Sequence, residues 1–426
     1  MKLSESASFV FEMLGSSASY FQNASLIAKA LGDHGLKEQR LSEIGGEGFI
    51  SRDASAVAAY RIPKGLRGKP RFAVYAAHLD SPCLKVKPDP VAFSKNLALL
   101  ATEPYGGLIY SSFLDVPLYL SGRVYTLGHG RVMGHLLDLT SPIAFIPRLA
   151  IHFDRGVNES GSLNAAKDLN AVISLQNGPQ RFDFYRYILN MFPGEDMLIS
   201  HDLFLMPKGA PTVLGARGEF FLSPRIDDLS CAYSGLYGFL HSEQPDDTIA
   251  VYCAFSSEEV GSSTYVGAGG ALLRDLLSKI AAKCGFDLEE ALERSLLVSA
   301  DCAHAGHPNH PEIEDPSSQV RMGRGIVFKH SARMAYTTNA STEAMGKFIC
   351  LKNHIQYQDF SNRSDLRGGS TLGAISNGVV SMPSLDIGIA QLAMHSGFEE
   401  AAISDLDDLC KFAGAFFSTS FGEGDR

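Results

Sequence analysis

The chain has 426 residues, of which 45% are hydrophobic and 20% are charged. This length exceeds one ordinary hydrophobic core, and the composition is typical of a globular protein with two domains. The formal net charge of -10 argues against a nucleic-acid groove or a basic membrane face. Seven cysteines, an odd number with no CxxC pair, indicate reduced thiols in a reducing compartment.

Membrane and export signals are also missing from the sequence. The N-terminal stretch MKLSESASFVFEML lacks the apolar core of a signal peptide. No segment approaches the roughly 20 apolar residues of a membrane-spanning helix. We therefore expect a cytoplasmic protein that binds neither membrane nor nucleic acid.

The first part of the chain predicts helix and then strands. Residues 6–41 have helical spacing, and short strands are predicted over residues 56–61 and 71–77. The second strand runs into His78 and Asp80, which share a face because residues two apart on a strand point the same way. Asp80 can then support the far ring nitrogen of a metal-bound His78. A lone His-x-Asp is more often purely structural.

Residues 84–210 differ in character from the rest of the chain. Short alternating runs are broken by Gly, Pro and polar loops, which favours an antiparallel β unit. The candidate metal ligands all lie before or after this stretch. We therefore predict an inserted β-rich domain over residues 85–210, within a catalytic domain made of residues 1–84 and 211–426. Its exposed strands are suited to an oligomer interface.

An α/β pattern returns near residue 219, and each predicted strand ends close to a side chain that can bind metal. The apolar run TIAVYCAF stops at Ser256-Ser257 and is followed by Glu258-Glu259. Ligands collect at the carboxyl ends of strands in open α/β sheets. The candidates that follow a strand or its turn are His78, Asp227, Glu259, Asp301 and His395.

This set of side chains suits a pair of borderline divalent ions such as zinc. A bridging carboxylate holds such ions roughly 3.5–4 Å apart. Because Glu258 and Glu259 are adjacent, they point in different directions, so Glu259 can hold a cation while Glu258 takes a proton from water. The alternative is a solvated acidic turn, which is the usual fate of a lone Glu-Glu pair.

Six stretches resemble the signature of the aspartyl aminopeptidase family, peptidase family M18: AAHLDSPCLKVKP, SPRIDDLS, FSSEEVGS, SADCAHAGHPNHPE, SDLRGGSTLGAI and DIGIAQLAMHS. The resemblance implies an α/β metallopeptidase catalytic domain with a mixed central β-sheet flanked by helices, plus an inserted β-rich dimerisation domain. It also implies peptide substrates with a free N-terminus, and assembly as a homo-oligomer, commonly a tetrahedral dodecamer built from dimers.

The resemblance also assigns residues. It implies two Zn²⁺ ions per subunit, with Mn²⁺ or Co²⁺ as possible substitutes. One zinc ion would be bound by His78 and Asp301, the other by Glu259 and His395, and Asp227 would bridge them. Glu258 would be the general base, and Asp80 would support His78.

Substrate choice follows from other matching positions. Lys329 matches the family lysine that meets an acidic side chain at the substrate's N-terminal residue, and Tyr336 and Met394 match other walls of that pocket. His152 matches a family histidine that approaches the neighbouring subunit's site. On pattern alone, Lys329 is more simply a solvated lysine at a strand end.

Several positions depart from the family pattern and leave the preferred N-terminal residue open. Asp228 stands where Asn is usual, Ser256-Ser257 where Asp, Asn or His is usual, and Val116 where a charged residue is common. Basic residues are missing after His310 and after His395. His304, His307 and His310 have no assigned role. The alternatives are an aminopeptidase of neutral or broad specificity, a dinuclear deacylase, and an assembled scaffold whose catalysis has lapsed.

Overall fold

The structure is a computed structural model that describes residues 3–366 and 368–420. None of the described helices is both long enough and apolar enough to cross a lipid bilayer. The described helices are α1 (Glu5–Ser16), α2 (Tyr20–Asp33), α3 (Val157–Ser160), α4 (Ala165–Asp168), α5 (Phe184–Leu189), α6 (Ile226–His241), α7 (Leu272–Cys284), α8 (Leu288–Glu293), α9 (Ala340–Lys352), α10 (Leu372–Val379) and α11 (Ile403–Ser418).

The strands fall into three sheets. The first strands in chain order are β1 (Glu47–Arg52), β2 (Ala56–Arg61), β3 (Arg71–His78), β4 (Cys83–Ser94), β5 (Leu97–Tyr105), β6 (Tyr119–Gly128), β7 (Arg131–Asp138), β8 (Ala171–Leu175) and β9 (Met197–Met206). Those that follow are β10 (Thr212–Leu214), β11 (Phe220–Ser223), β12 (Thr248–Phe255), β13 (Leu296–Ala300), β14 (Ala303–His304), β15 (Ile326–His330), β16 (Tyr357–Ser361), β17 (Ser384–Gly388), β18 (Ala390–Leu392) and β19 (Glu399–Ala402).

The helical spacing over residues 6–41 is divided between α1 and α2. Ser17 and Ser19 stand between the two helices with extended backbones. The Ser17 hydroxyl donates to the Leu14 carbonyl over 2.7 Å, and the Ser17 backbone N–H donates to the same oxygen. Serine hydroxyls compete for backbone groups in this way, which ends the first helix.

The central sheet has the strand order β1-β2-β12-β3-β13-β17-β15-β16. It is mixed, because β12, β3, β13 and β17 pair in parallel whereas β15 pairs antiparallel with β17. Every residue of β3 and β12 is buried. Strands that are buried on both faces read as continuous apolar runs, which explains the TIAVYCAF pattern.

Helices cover both faces of this sheet. Successive side chains of a strand point to opposite faces. Tyr252 packs in the core that includes residues of α1, α2, α6 and α11. Its neighbours Val251 and Cys253 pack in the second core, with residues of α7 and α8. The predicted α/β fold, with a mixed central sheet flanked by helices, is confirmed.

A six-stranded sheet of order β7-β6-β9-β4-β5-β8 lies between β3 and β10 in the chain. Its described pairs are all antiparallel. It has a hydrophobic core of its own, which includes Val124, Phe184 and Leu203. The boundaries 85–210, and the role of this unit in dimerisation, stay predictions.

A five-stranded sheet of order β10-β11-β19-β18-β14 positions several polar side chains beside the central sheet. β11 leads through a short turn into α6, where Asp227 is the second residue. β18 ends at Leu392, just before His395, and β19 begins at Glu399. This small sheet therefore brings two widely separated parts of the chain to one edge.

Candidate active site

Five side chains that are far apart in sequence meet where the parallel strands end. His78 is the last residue of β3 and lies in register with Phe255, the last residue of β12. Asp301 follows the last residue of β13. The structure thus brings together all the residues predicted as metal ligands: His78, Asp227, Glu259, Asp301 and His395.

Asp227 lies between the two histidines. Its Oδ1 is 3.9 Å from His78 Nε2, and its Oδ2 is 3.3 Å from His395 Nε2. His395 Nε2 is also 3.2 Å from Glu259 Oε1. The ligand atoms form two overlapping groups that share Asp227, each with all its atoms within 4.8 Å of one another: His78 with Asp227 and Asp301, and Asp227 with Glu259 and His395.

Both imidazoles present the same ring nitrogen to these carboxylates. His78 Nδ1 lies 2.9 Å from the Asp80 carbonyl oxygen, and His395 Nδ1 lies 3.2 Å from the Gly107 carbonyl oxygen. A carbonyl oxygen can only accept, so each Nδ1 carries a hydrogen. Nε2 is therefore the nitrogen that is left to meet a cation at the centre of the site, as in metal-bound histidines.

Two carboxylate oxygens of the site lack hydrogen-bond donors. Asp227 Oδ1 and Glu259 Oε1 are buried and accept no hydrogen bond from the described residues. Burying a carboxylate without a partner is costly, so native proteins pair it or place it on a metal. The donor chemistry, two imidazoles and three carboxylates, fits zinc. The residues present therefore fit a pair of divalent cations.

The electrostatics point in the same direction. Burial alone would lower the pKa of His395, but the Asp227 and Glu259 carboxylates close to its Nε2 outweigh it and raise that pKa to about 11. Burial, reinforced by the Asp301 and Glu259 carboxylates and offset in part by His78, raises the pKa of Glu258 to about 8. The site thus favours positive charge at its centre, whether protons or metal ions supply it.

The Asp80 carboxylate contributes in a way that the sequence did not indicate. Its Oδ1 accepts the backbone N–H of Glu258 over 3.1 Å, and its Oδ2 accepts that of Glu259 over 3.2 Å. Oδ2 also accepts the Tyr105 hydroxyl over 2.9 Å. His78 Nδ1–H donates to the Asp80 backbone carbonyl oxygen, whereas the Asp80 carboxylate lies 3.6 Å from Nδ1. Asp80 therefore orients the two glutamates as well as the histidine.

Glu399 was missed by the sequence analysis. It is buried, and it accepts the backbone N–H of His395 over 2.7 Å and that of Asp227 over 3.0 Å. It therefore fixes two candidate ligands that are remote in sequence. The one feature of the sequence that could have indicated this role is that Glu399 lies four residues after the candidate ligand His395.

The ligands open into a cavity of about 470 Å³, which Lys329, Tyr336 and Met394 also line. Lys329 is only 3% exposed, and its Nζ lies 3.5 Å from Asp301 Oδ1 and 5.4 Å from the Tyr336 ring centroid. Burial lowers the pKa of Lys329, but the Asp301 carboxylate outweighs this and raises it. The alternative of a solvated lysine is excluded by this burial.

The histidines of the loop after β13, and His152, differ in whether they line the cavity. His304 lines it, whereas His307 and His310 do not. The rings of His307 and His310 are 5.0 Å apart on the surface, and His310 Nδ1 is 3.2 Å from Glu312 Oε1. His152 is exposed in the six-stranded unit and does not line the cavity of its own chain.

Comparison with known proteins decides the family. The model of the family described as Aminopeptidase I zinc metalloprotease (M18) matches residues 13–417. The chain belongs to the M18 family. A probable M18 family aminopeptidase 2 of Clostridium acetobutylicum is 35% identical, over 92% of this chain and 94% of the relative. One of Pseudomonas savastanoi pv. phaseolicola is 34% identical over 88% of each chain.

Solved structures share the fold of this chain. A chain in the cryo-EM structure of the Ape4 and Nbr1 complex has a TM-score of 0.92 and 26% identity, over 98% of this chain and 87% of that one. The dodecameric mApe1 of Saccharomyces cerevisiae has a TM-score of 0.82 and 22% identity, over 97% and 96% of the chains. The family model and the two relatives confirm the predicted resemblance to M18, and with it the class of metalloprotease and aminopeptidase.

Proposed function

We propose that the protein is a zinc aminopeptidase that removes an N-terminal Asp or Glu from peptides, with Glu258 as the general base. The observation that carries the proposal is the position of Asp227 between two histidines whose Nε2 atoms both face it. A dinuclear hydrolase also needs a carboxylate beside the metal ligands that stays free to take a proton from water. Glu258 meets it, with Oε2 4.0 Å from His78 Nε2.

Two zinc ions would be held by the residues of the two overlapping groups. His78 and Asp301 would bind one ion, Glu259 and His395 the other, and Asp227 both, with Mn²⁺ or Co²⁺ as substitutes. Zinc at these positions supplies Lewis acidity, which polarises a carbonyl and acidifies water. The buried, donor-free oxygens of Asp227 and Glu259 support this assignment.

Glu258 moves the proton in this scheme. Its carboxylate takes a proton from the attacking water, the water oxygen adds to the scissile carbonyl carbon, and the proton passes to the leaving amine as the C–N bond breaks. The hydrogen bond from the Glu258 backbone to Asp80 fixes the start of the Glu-Glu turn. His152 of a second subunit would add a hydrogen-bond donor to the developing oxyanion.

Lys329 is the residue that favours an acidic N-terminal side chain. It is a buried ammonium group in the cavity wall, placed over the Tyr336 ring. A substrate carboxylate would pair with it by a charge-assisted hydrogen bond, which is stronger than a neutral one. The cation–π contact with Tyr336 holds the ammonium in place when no substrate is bound.

The test of the proposed function is turnover of a matched substrate set by the metal-loaded protein. The set contains unblocked Asp-, Glu-, Leu- and Ala-anilides and one N-acetylated amino acid. We expect the Asp and Glu substrates to be cleaved with the highest kcat/KM, and a chelator to abolish cleavage. Preference for Leu or Ala would favour the neutral or broad aminopeptidase, and cleavage of the acetylated compound alone would favour the deacylase. No cleavage at all by metal-loaded protein would favour the scaffold.

Lys329→Met is expected to lower kcat/KM for Asp and Glu substrates by about 100-fold or more, because the substrate carboxylate would be buried without its partner. Turnover of Leu-anilide should be equal or higher. Lys279→Met, which changes an exposed lysine of α7, is the matched control and should leave the ratio unchanged. An unchanged ratio in Lys329→Met with full metal content would remove Lys329 from substrate recognition.

We further propose that residues 85–210 mediate assembly of a cytoplasmic homo-oligomer, such as a tetrahedral dodecamer. Exposed apolar side chains flank His152 in this unit: Leu149 is 70% exposed and Phe153 is 82% exposed. Patches of this kind mark protein–protein contact sites. All seven cysteines carry free thiols, which supports a reducing compartment.

A further inference from the structure

Asp386 lies behind the wall of the catalytic cavity and does not line it. It is the third residue of β17, the strand between β13 and β15 in the central sheet. Its exposed fraction is 0%. A buried carboxylate must be paired or fully hydrogen-bonded, so its partners show what it holds.

The two oxygens of Asp386 bind two different segments. Oδ1 accepts the hydroxyl of Thr371. Oδ2 accepts the backbone N–H of Thr337 over 2.5 Å and the Thr337 hydroxyl over 2.6 Å. In addition, the Asp386 backbone N–H donates to the Thr338 hydroxyl over 3.0 Å. Asp386 therefore ties residues 337–338 to residue 371.

Each segment adjoins or forms part of the cavity wall. Tyr336, which directly precedes residues 337–338, lines the cavity beneath Lys329 and is 5% exposed. Thr371 lines the cavity together with Gly369 and Ser370. Residues 331–339 and the described part of 362–371 form neither helix nor strand. The spacing of these two walls thus depends on side-chain hydrogen bonds rather than on a sheet.

The Thr371 hydroxyl bonds to Asp386 and not to its own helix. It is the N-cap residue of α10, a position where a threonine hydroxyl normally accepts a backbone N–H of the first turn. No such side-chain bond is present at this helix, and the hydroxyl goes to Asp386 instead. The helix start is therefore anchored to the strand beneath the cavity.

We propose that Asp386 is a positioning residue for substrate selection: it sets the distance between the Lys329–Tyr336 wall and the 369–371 wall, and so the fit of the substrate's N-terminal side chain. This inference deepens the proposed function and rests on it. Asp386 acts on substrate through Tyr336 and Thr371, so its loss should weaken substrate binding while the metal ligands and Glu258 stay in place.

The experiment compares Asp386→Asn, Thr337→Val and Thr337→Ser in the metal-loaded protein. Asn has the shape of Asp but loses the negative charge and one of the two accepting oxygens, so the Thr371 hydroxyl must turn to accept from its NH₂ group and the bonds to both segments lose their charge-assisted strength. Val has the shape of Thr without its hydroxyl. We expect KM for the preferred unblocked substrate to rise about tenfold or more in Asp386→Asn and severalfold in Thr337→Val, with kcat within threefold of wild type. Thr337→Ser keeps the hydroxyl and should restore KM to within twofold. Metal content is measured in every variant and should not change.

A merely structural role would lower thermal stability and the fraction of folded enzyme without raising KM, and that outcome would overturn the inference. An unchanged KM in both Asp386→Asn and Thr337→Val would also overturn it. If the wild type prefers a neutral substrate, the proposed preference for Asp and Glu is wrong, but the role of Asp386 is still testable. The KM values of the variants are then compared on that neutral substrate. A wild type that cleaves no unblocked substrate would overturn both.

Discussion

Glu258→Gln is expected to lower kcat by about three orders of magnitude, the scale that a well-placed general base contributes. The amide has the shape of the carboxylate but cannot take a proton from water. The side chain is 14% exposed and borders the cavity, so the change adds no void and no clash. KM should change little, because the substrate-facing walls and the metal ligands keep their positions.

Two measurements make this result specific. Metal content per subunit should equal that of the wild type, because Glu258 is not one of the five proposed ligands. The ligand atoms of His78, Glu258 and Glu259 also lie within 4.8 Å of one another, so a loss of metal in Glu258→Gln would make Glu258 a ligand instead of the base. Glu43→Gln, the same change at an exposed glutamate, is the matched control and should keep full activity. Full turnover by Glu258→Gln with both metals bound would assign the proton transfer to another group.

The sequence predicts the strands and the side chains that follow them better than it predicts what holds those side chains. His78, Glu259 and Asp301 follow apolar runs whose composition identifies buried strands, and parallel strands place their carboxyl ends together. The convergence of these residues is therefore a consequence of a pattern that can be read along the chain. His395 and Asp227 were predicted from the same pattern although a turn separates each from its strand, and the family resemblance added only their separate roles.

The supporting contacts could not be predicted in the same way. Glu399 and Asp386 each bind backbone or hydroxyl groups of segments that are remote in sequence. Nothing in their local pattern separates them from ordinary strand residues. Residues 335–338, AYTT, have the aromatic and β-branched composition of a short strand but form none. Thr337 and Thr338 instead make hydrogen bonds with Asp386 through their hydroxyls and the Thr337 backbone N–H. Such contacts depend on the tertiary fold, which local periodicity does not encode.

Asp227→Asn is expected to remove at least one metal ion per subunit and to lower kcat/KM by at least about 100-fold. Even residues that only support a metal ligand cost 10–100-fold when they are changed, and a shared ligand contributes to both ions. An amide offers one oxygen, and its NH₂ group repels a cation. Asp227 is also the one member common to the two overlapping groups. Elemental analysis of the dialysed protein and kcat/KM on the preferred substrate are the measurements.

The neighbouring Asp228 supplies the matched control for this prediction. Asp228 is also buried, but it does not line the cavity, and its Oδ2 accepts the backbone N–H of His78 over 3.1 Å. The carbonyl oxygen of an asparagine can accept the same hydrogen bond. Asp228→Asn should therefore retain both ions and most of the activity, although the two substitutions are identical and adjacent. Equal metal loss in the two variants would show that burial of the pair, rather than ligation by Asp227, sets metal affinity.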